Sequence, residues 1–197
     1  MGRIVMFNHV SADGYFASPE GTIDWVVRDA EVDKAAMSGG PQADTLLLGR
    51  KTYEMFASFW PKAVESSKAK NPHDGGQLSD EQRQMGNWLN DATKIVFSRT
   101  MKDATWKNTR IVRELDPREI QGMKKQDKNM LVLGSGSIVS ELTKHGLIDD
   151  YTFVVSPVFL GGGKQLITGL SKRPRLKLES LKGFPSGVVL LRYRQAK

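Results

Sequence analysis

One local order recurs along this chain and limits what it can fold into. An apolar run too short for a helix ends in a Gly- or Ser-containing corner, and helical spacing follows. Asp44–Leu48 ends at Gly49, and Lys51–Phe59 then carries Tyr53, Phe56 and Phe59 or Trp60 at helical intervals. Met130–Leu133 ends at Gly134–Gly136, and Ser137–Lys144 follows. Length and the bounding turn residues decide for strand where periodicity cannot. Strands that alternate with helices pair in parallel, because each helix carries the chain back to the same end of the sheet.

The other segments extend this plan. Arg3–Val10 reads as a buried strand ended by the turn residues Ser11-Ala12-Asp13-Gly14, and Glu31–Met37 as a weak helix. Pro61 is expected to stop the helix that begins at Lys51. Lys62–Leu78, rich in Lys, Ser, Pro and Gly, reads as a mobile surface loop dispensable for the fold. Ser79 and Gln82 form a capping box for a helix through Leu89. Lys94–Phe97 and Ile111-Val112 read as strands, and Asp116-Pro117 starts a helix. The last third changes character: Tyr151–Phe159, Leu176–Phe184 and Val188–Arg194 are strand-like, and Pro185-Ser186-Gly187 joins the last two as a hairpin. The expected fold is therefore α/β: a mixed, mostly parallel sheet of about eight strands, with helices on both faces and a C-terminal antiparallel hairpin. Residues 1–197 are expected to form one domain, a size that a single core can serve.

Composition removes several classes of function. There is no cysteine, hence no thiolate nucleophile or thiolate metal ligand, which fits a cytoplasmic protein. His9, His73 and His145 are too scattered to mark a metal site. No apolar run approaches the roughly 20 residues that span a bilayer, and the N-terminus MGRIVMFNHV is too polar for a signal peptide. The formal charge of +7 attracts polyanions. Its carriers form no long block, and neither zinc-finger spacing nor an aromatic ribonucleoprotein motif accompanies them. A phosphorylated small molecule is therefore preferred to nucleic acid or a membrane.

Three corners carry the candidate chemistry. At Gly49-Arg50-Lys51-Thr52 a helix starts directly after a strand, and the open N–H groups of its first turn favour an anion. Arg50 and Lys51 add charge there and Thr52 adds a hydroxyl donor; the plain alternative is a solvated basic first turn. Ser98-Arg99-Thr100 offers charge-assisted bonds to a phosphate but also reads as simple loop. Gly134-Ser135-Gly136-Ser137-Ile138 lets backbone approach a pyrophosphate. Val139 replaces the third glycine of the dinucleotide fingerprint, and no acidic residue closes a following strand to take a ribose.

Taken in this order, the three corners resemble the cofactor motifs of the dihydrofolate reductase superfamily. Ser11-Ala12-Asp13-Gly14-Tyr15, Gly146-Leu147-Ile148-Asp149 and Ser156-Pro157-Val158-Phe159-Leu160-Gly161-Gly162-Gly163 resemble a narrower group. That group is the C-terminal reductase domain of the riboflavin-biosynthesis bifunctional deaminase-reductase, with its stand-alone relatives. The resemblance implies a dihydrofolate-reductase-like sheet and an NADPH cofactor. Arg50, Lys51 and Thr52 would meet the adenosine-side phosphates and pyrophosphate, Ser98 and Arg99 the 2′-phosphate, and Gly134 to Ile138 the pyrophosphate. Val10, Ser11 and Ala12 would line the nicotinamide site, with Asp13 and Trp60 as candidate substrate contacts. The implied activity is hydride transfer to a small heterocyclic or phosphoribosylated substrate, as in 5-amino-6-(5-phosphoribosylamino)uracil reductase. Two alternatives stay open: reduction of dihydrofolate, and a non-catalytic nucleotide-binding protein of the same fold.

Dihydrofolate reductases use an acid on their first helix. Asp24, Asp29 and Glu31 are the nearby carboxylates, and none matches that motif. The zinc-deaminase half of the bifunctional enzyme is absent from the sequence, since P-C-x-x-C requires cysteine. A homodimer is expected, from the resemblance and from the apolar excess Leu176, Leu178, Leu181, Val188, Leu190 and Leu191.

Overall fold

The computed structural model describes residues 1–37, 43–65 and 77–196. In chain order the elements are β1 (Ile4–Ser11), β2 (Tyr15–Ala17), α1 (Ala30–Met37), β3 (Thr45–Gly49), α2 (Arg50–Ala63), α3 (Asp80–Asp91), β4 (Thr93–Phe97), β5 (Thr109–Val112), α4 (Pro117–Lys125), β6 (Met130–Leu133), α5 (Gly136–Lys144), β7 (Asp150–Ser156), β8 (Lys164–Gln165), β9 (Leu176–Gly183) and β10 (Val189–Gln195). The main sheet has eight strands in the order β5-β4-β3-β6-β1-β7-β10-β9. Neighbours from β5 to β7 run parallel, while β10 is antiparallel to both β7 and β9. This is the mixed, mostly parallel α/β architecture with a C-terminal antiparallel hairpin that the sequence pattern implies.

Strand alternation divides the core into layers. Leu47 faces one side, with Ile4, Met6, Val132 and Tyr151, against Ile120 of α4 and Ile138, Val139 and Leu142 of α5. Leu46 and Leu48 face the other side, with Val96, against Tyr53 of α2 and Leu89 of α3. A run that is apolar on both faces is what a central strand between two helical layers requires. Val32 of α1 packs on Val154 and Leu190. α1 is held by the C-terminal hairpin at both ends. Asp29 accepts from the N–H groups of Glu31 and Val32 and from the Ser186 hydroxyl, and Arg192 donates to the Ala35 carbonyl at 2.7 Å.

Local signals are realised at α3 and α4. Ser79 and Gln82 form the reciprocal capping box, and Asp116 caps α4 with Pro117 in its first turn. The Gly146–Asp149 motif has a structural role at the sheet's amino edge. The buried Lys124 donates to Asp149 at 2.6 Å and to the Leu147 carbonyl at 3.0 Å, and Asp149 also accepts from the Ile4 N–H at 2.8 Å.

Two expectations are corrected and one element is added. α2 runs through Pro61 to Ala63. A proline one turn from a helix end removes a single ladder bond, which the remaining packing tolerates. β7 stops at Ser156 rather than Phe159, because Pro157 has no N–H to continue the ladder. A second, two-stranded sheet of β2 and β8 pairs Tyr15–Ala17 with Lys164–Gln165; elements this short carry no periodicity to read. The Lys62–Leu78 segment, expected to be a mobile loop, lies for its greater part outside the described residues.

Candidate cofactor and substrate cleft

The parallel strands β3, β4, β6 and β1 end at one edge of the sheet, so Gly49, Ser98, Gly134 and Ser11 all fall on that edge. β3 and β6 are neighbours, and their corners lock together. Ser135 adopts the left-handed conformation (φ 61°), and its hydroxyl accepts from the Gly49 N–H at 2.7 Å and lies 3.0 Å from Thr52 Oγ1. The glycines are steric requirements. A Cβ on Gly49 would sit 2.9 Å from Ser135 Oγ, and Gly134 holds φ 59° with Thr52 Oγ1 3.0 Å from where its Cβ would be. The N–H groups of Gly136 and Ser137, in the first turn of α5, precede the helix's own ladder. Bare backbone and first-turn N–H groups from two helices thus meet in one corner, with Lys51 in the first turn of α2 beside it. That donor set fits a pyrophosphate of the kind NADPH carries.

From this corner a cavity of about 1380 Å³ runs along the sheet under α1, α2 and α3. Gly49, Arg50, Lys51, Thr52, Gly134, Ser135, Gly136 and Ser137 line it, as does Trp60. Trp60 also packs against α3, where a side chain on Gly86 would strike its ring. Val5, Phe7 and His9 of β1 form part of the floor.

The acid that the sequence left unassigned is Asp33. It stands on α1 and lines the cavity together with Arg28 and Glu81. Burial pushes its carboxyl above the usual range; Arg28 opposes that shift, and Asp29 and Glu81 add to it. Asp24 and Asp29 are held low instead, by the hydroxyls of Thr22 and Ser186 respectively. The available signal for Asp33 was its place beside Val32, on a helix whose apolar face must turn toward the sheet.

Other expected residues lie at the same edge but outside the cavity lining. Ser98 accepts from the N–H groups of Thr100 and Met101 and so shapes its own loop. Arg99 is exposed and pairs with Glu114 at 2.9 Å, while Arg113 donates to the carbonyls of Ser98, Arg99 and Met101. Val10 and Ser11 are buried, and the Ala12 N–H donates to the Val158 carbonyl. Ile138 is buried in the core, so its part in the corner is its backbone. Asp13 accepts from the Ser11 hydroxyl at 2.6 Å and from the N–H groups of Leu160 and Gly161. Those bonds, the hydroxyl's first, hold its carboxyl below the ordinary range. Its carboxylate thereby fastens the 157–163 loop to the turn after β1. Among the described residues no cluster of His, Asp and Glu has a metal-binding arrangement, and no helix is long and apolar enough to cross a membrane.

A sheet of this order, with its C-terminal antiparallel hairpin, has the dihydrofolate-reductase-like fold. The chain belongs to the RibD C-terminal domain family, whose model matches residues 3–190. It is 27% identical over 97% of its length to the uncharacterized protein YyaP of Bacillus subtilis (strain 168), covering 94% of that protein. Its fold is similar to that of a putative riboflavin biosynthesis protein from Shewanella sp. PV-4, with a TM-score of 0.68, 20% identity and 99% of each chain covered. It is also similar to dihydrofolate reductase from Enterococcus faecalis, solved in complex with NADP(H) and RAB-propyl, with a TM-score of 0.62 and 13% identity, covering 100% of this chain and 98% of that one. Structural likeness at these identities concerns the fold.

Proposed function

We propose that this protein is an NADPH-dependent reductase that delivers hydride to a small heterocyclic or phosphoribosylated substrate, as 5-amino-6-(5-phosphoribosylamino)uracil reductase does. The carrying observation is the Gly49–Ser135 corner opening into a cavity of about 1380 Å³. Membership of the RibD C-terminal domain family supports the same reading.

When bound, NADPH supplies a hydride to the carbon of a C=N acceptor. The chain's residues do the remainder. Thr52, Lys51 and the N–H groups of Gly136 and Ser137 hold the pyrophosphate, and Arg50 the adenosine-side phosphate. Ser98, Arg99 and Thr100 hold the 2′-phosphate from the neighbouring strand end, where Arg99 exchanges Glu114 for the phosphate. Val10, Ser11 and Ala12 bound the nicotinamide end. Asp13 acts by fixing the 157–163 loop, and Trp60 walls the substrate end. Reduction of C=N also needs a proton on nitrogen. Asp33, which lines the cavity and is kept protonated to higher pH than an ordinary Asp, supplies that proton in this reading.

The protein acts in this reading as a single-domain cytoplasmic homodimer. Phe153, Leu191 and Leu181 are cross-strand neighbours on one sheet face, as are Tyr151, Tyr193 and Leu178. Leu181 is 62% exposed and Leu178 48% exposed on the edge strand β9. A second copy that covers this edge would remove both liabilities.

The test is NADPH oxidation with the pyrimidine ribosylamine and, separately, with dihydrofolate, beside direct cofactor binding. Turnover of the pyrimidine supports the proposal. Turnover of dihydrofolate alone moves the activity to the other branch of the fold, and binding without any turnover makes the protein a nucleotide-binding module.

A further inference from the structure

Cations line the cavity on several sides, and most are already satisfied. Arg3 and Arg194 face Asp150, Arg50 faces Glu54, Arg28 interacts electrostatically with Asp33, and Arg192 donates to the Ala35 carbonyl. Lys51 belongs to the cofactor corner. Lys164 is different. It lines the cavity from β8 and is only partly exposed, and among the described residues no carboxylate pairs with its ammonium.

Its position is built rather than incidental. Lys164 lies opposite Ala17 in the β2–β8 pair, and its Nζ occupies the space that a side chain on Gly21 would fill. Gly21 has φ 95°, a conformation that glycine alone takes without strain. The turn carrying it is braced by the Ser18 hydroxyl, which accepts from the N–H groups of Gly21 and Thr22. The strand carrying Lys164 is braced as well. Asp13 pins Leu160 and Gly161 just before it, and a Cβ on Gly163 would collide with the Ala17 carbonyl. The ammonium reaches toward the Ser18–Thr22 turn, whereas Gly136 in the cofactor corner is covered by the Phe16 ring and the carbonyls of Gln165 and Leu166.

A half-buried lysine on a braced mount, with no carboxylate pairing it among the described residues, is a point anchor for an anion. We infer that Lys164 binds the phosphate monoester of the substrate, separately from the phosphates of the cofactor. The choice of a phosphate monoester rests on the proposed phosphoribosylated substrate; the anion site itself rests on Lys164, Gly21 and the cavity.

The probes are ribose 5-phosphate and ribose, titrated calorimetrically into the full-length protein with and without NADPH. Wild type is expected to bind ribose 5-phosphate at least about tenfold more tightly than ribose, the contribution of one charge-assisted contact. Lys164→Met is expected to abolish that difference and leave the NADPH dissociation constant within about twofold, and Lys164→Arg to retain most of the difference. A wild type that does not prefer ribose 5-phosphate overturns the inference. So does a Lys164→Met protein that keeps the preference, or one that loses NADPH affinity as strongly as phosphate affinity. Failure of the reductase reading is read separately: phosphate-dependent binding through Lys164 without NADPH oxidation on the pyrimidine leaves the anchor standing and removes the proposed reaction.

Discussion

The Ser135 hydroxyl accepts the Gly49 N–H at 2.7 Å, so one side chain at the end of β6 fixes where α2 departs from β3. The same oxygen lies 3.0 Å from Thr52 Oγ1, which joins the first turn of α2 to the corner. Two potential phosphate-binding segments, distant in sequence, are thereby held as one rigid surface.

Ser135→Ala leaves the part-buried Gly49 N–H without its acceptor. The expected loss is about 1–3 kcal/mol of stability, measured by urea denaturation. NADPH affinity, followed by fluorescence titration, should fall with it. Unchanged stability and unchanged affinity would mean that the hydroxyl does not organise the corner.

Arg99 is paired with Glu114 on the surface, with 79% and 72% of the two side chains exposed. Such a pair contributes about 0–1 kcal/mol, so a 2′-phosphate can displace Glu114 at little cost. Arg99→Ala is expected to weaken NADPH about tenfold or more while NADH changes little. The melting temperature should hardly move. Equal losses for the two cofactors would place the 2′-phosphate elsewhere.

Asp33 sets a pH dependence whose sign follows from burial. Its folded-state pKa lies above the unfolded value, so over the interval between the two the folded chain holds a proton that the unfolded chain has lost. Its contribution to stability therefore falls as pH rises through that interval. As proton donor it should give a kcat/KM that falls on the alkaline side of its raised pKa. Asp33→Asn should flatten both profiles and lower kcat. An Asn variant with the wild-type pH–rate profile would exclude Asp33 from the proton step.

The hairpin tests the expected dimer. Leu190 is 5% exposed and packs with Val32 and Val154, whereas Leu191 and Leu181 share the opposite face. Leu181→Asp should yield a folded monomer by light scattering, from a wild type of twice 21.9 kDa. Leu190→Asp should fail to fold. A wild-type mass of 21.9 kDa at every dilution would reject the dimer.

The sequence made the larger part of this fold legible because its local signals agree with one another. The TLLL strand between two helical layers, the Ser79–Gln82 box and the Asp116-Pro117 start each need only neighbouring residues to be read. The locked pair Gly49 and Ser135 could be named corner by corner, but their contact depends on β3 lying beside β6, a non-local choice no window contains. Asp33 was missed for a related reason. Its role depends on which face of α1 turns to the cavity, and Ser186 and Arg192 fix that from the far end of the chain. The β2–β8 pair that mounts Lys164 was invisible because strands of two and three residues have no period.

The central claim is hydride transfer within this cleft, and isotope tracing tests it most directly. The protein is incubated in ordinary water with NADPH carrying two deuterium atoms at nicotinamide C4 and with 5-amino-6-(5-phosphoribosylamino)uracil, and the product is weighed by mass spectrometry. The account predicts one deuterium per product molecule, bound to the carbon of the reduced C=N group. Reduced product without deuterium, or no reduced product from a protein that binds NADPH, would contradict it.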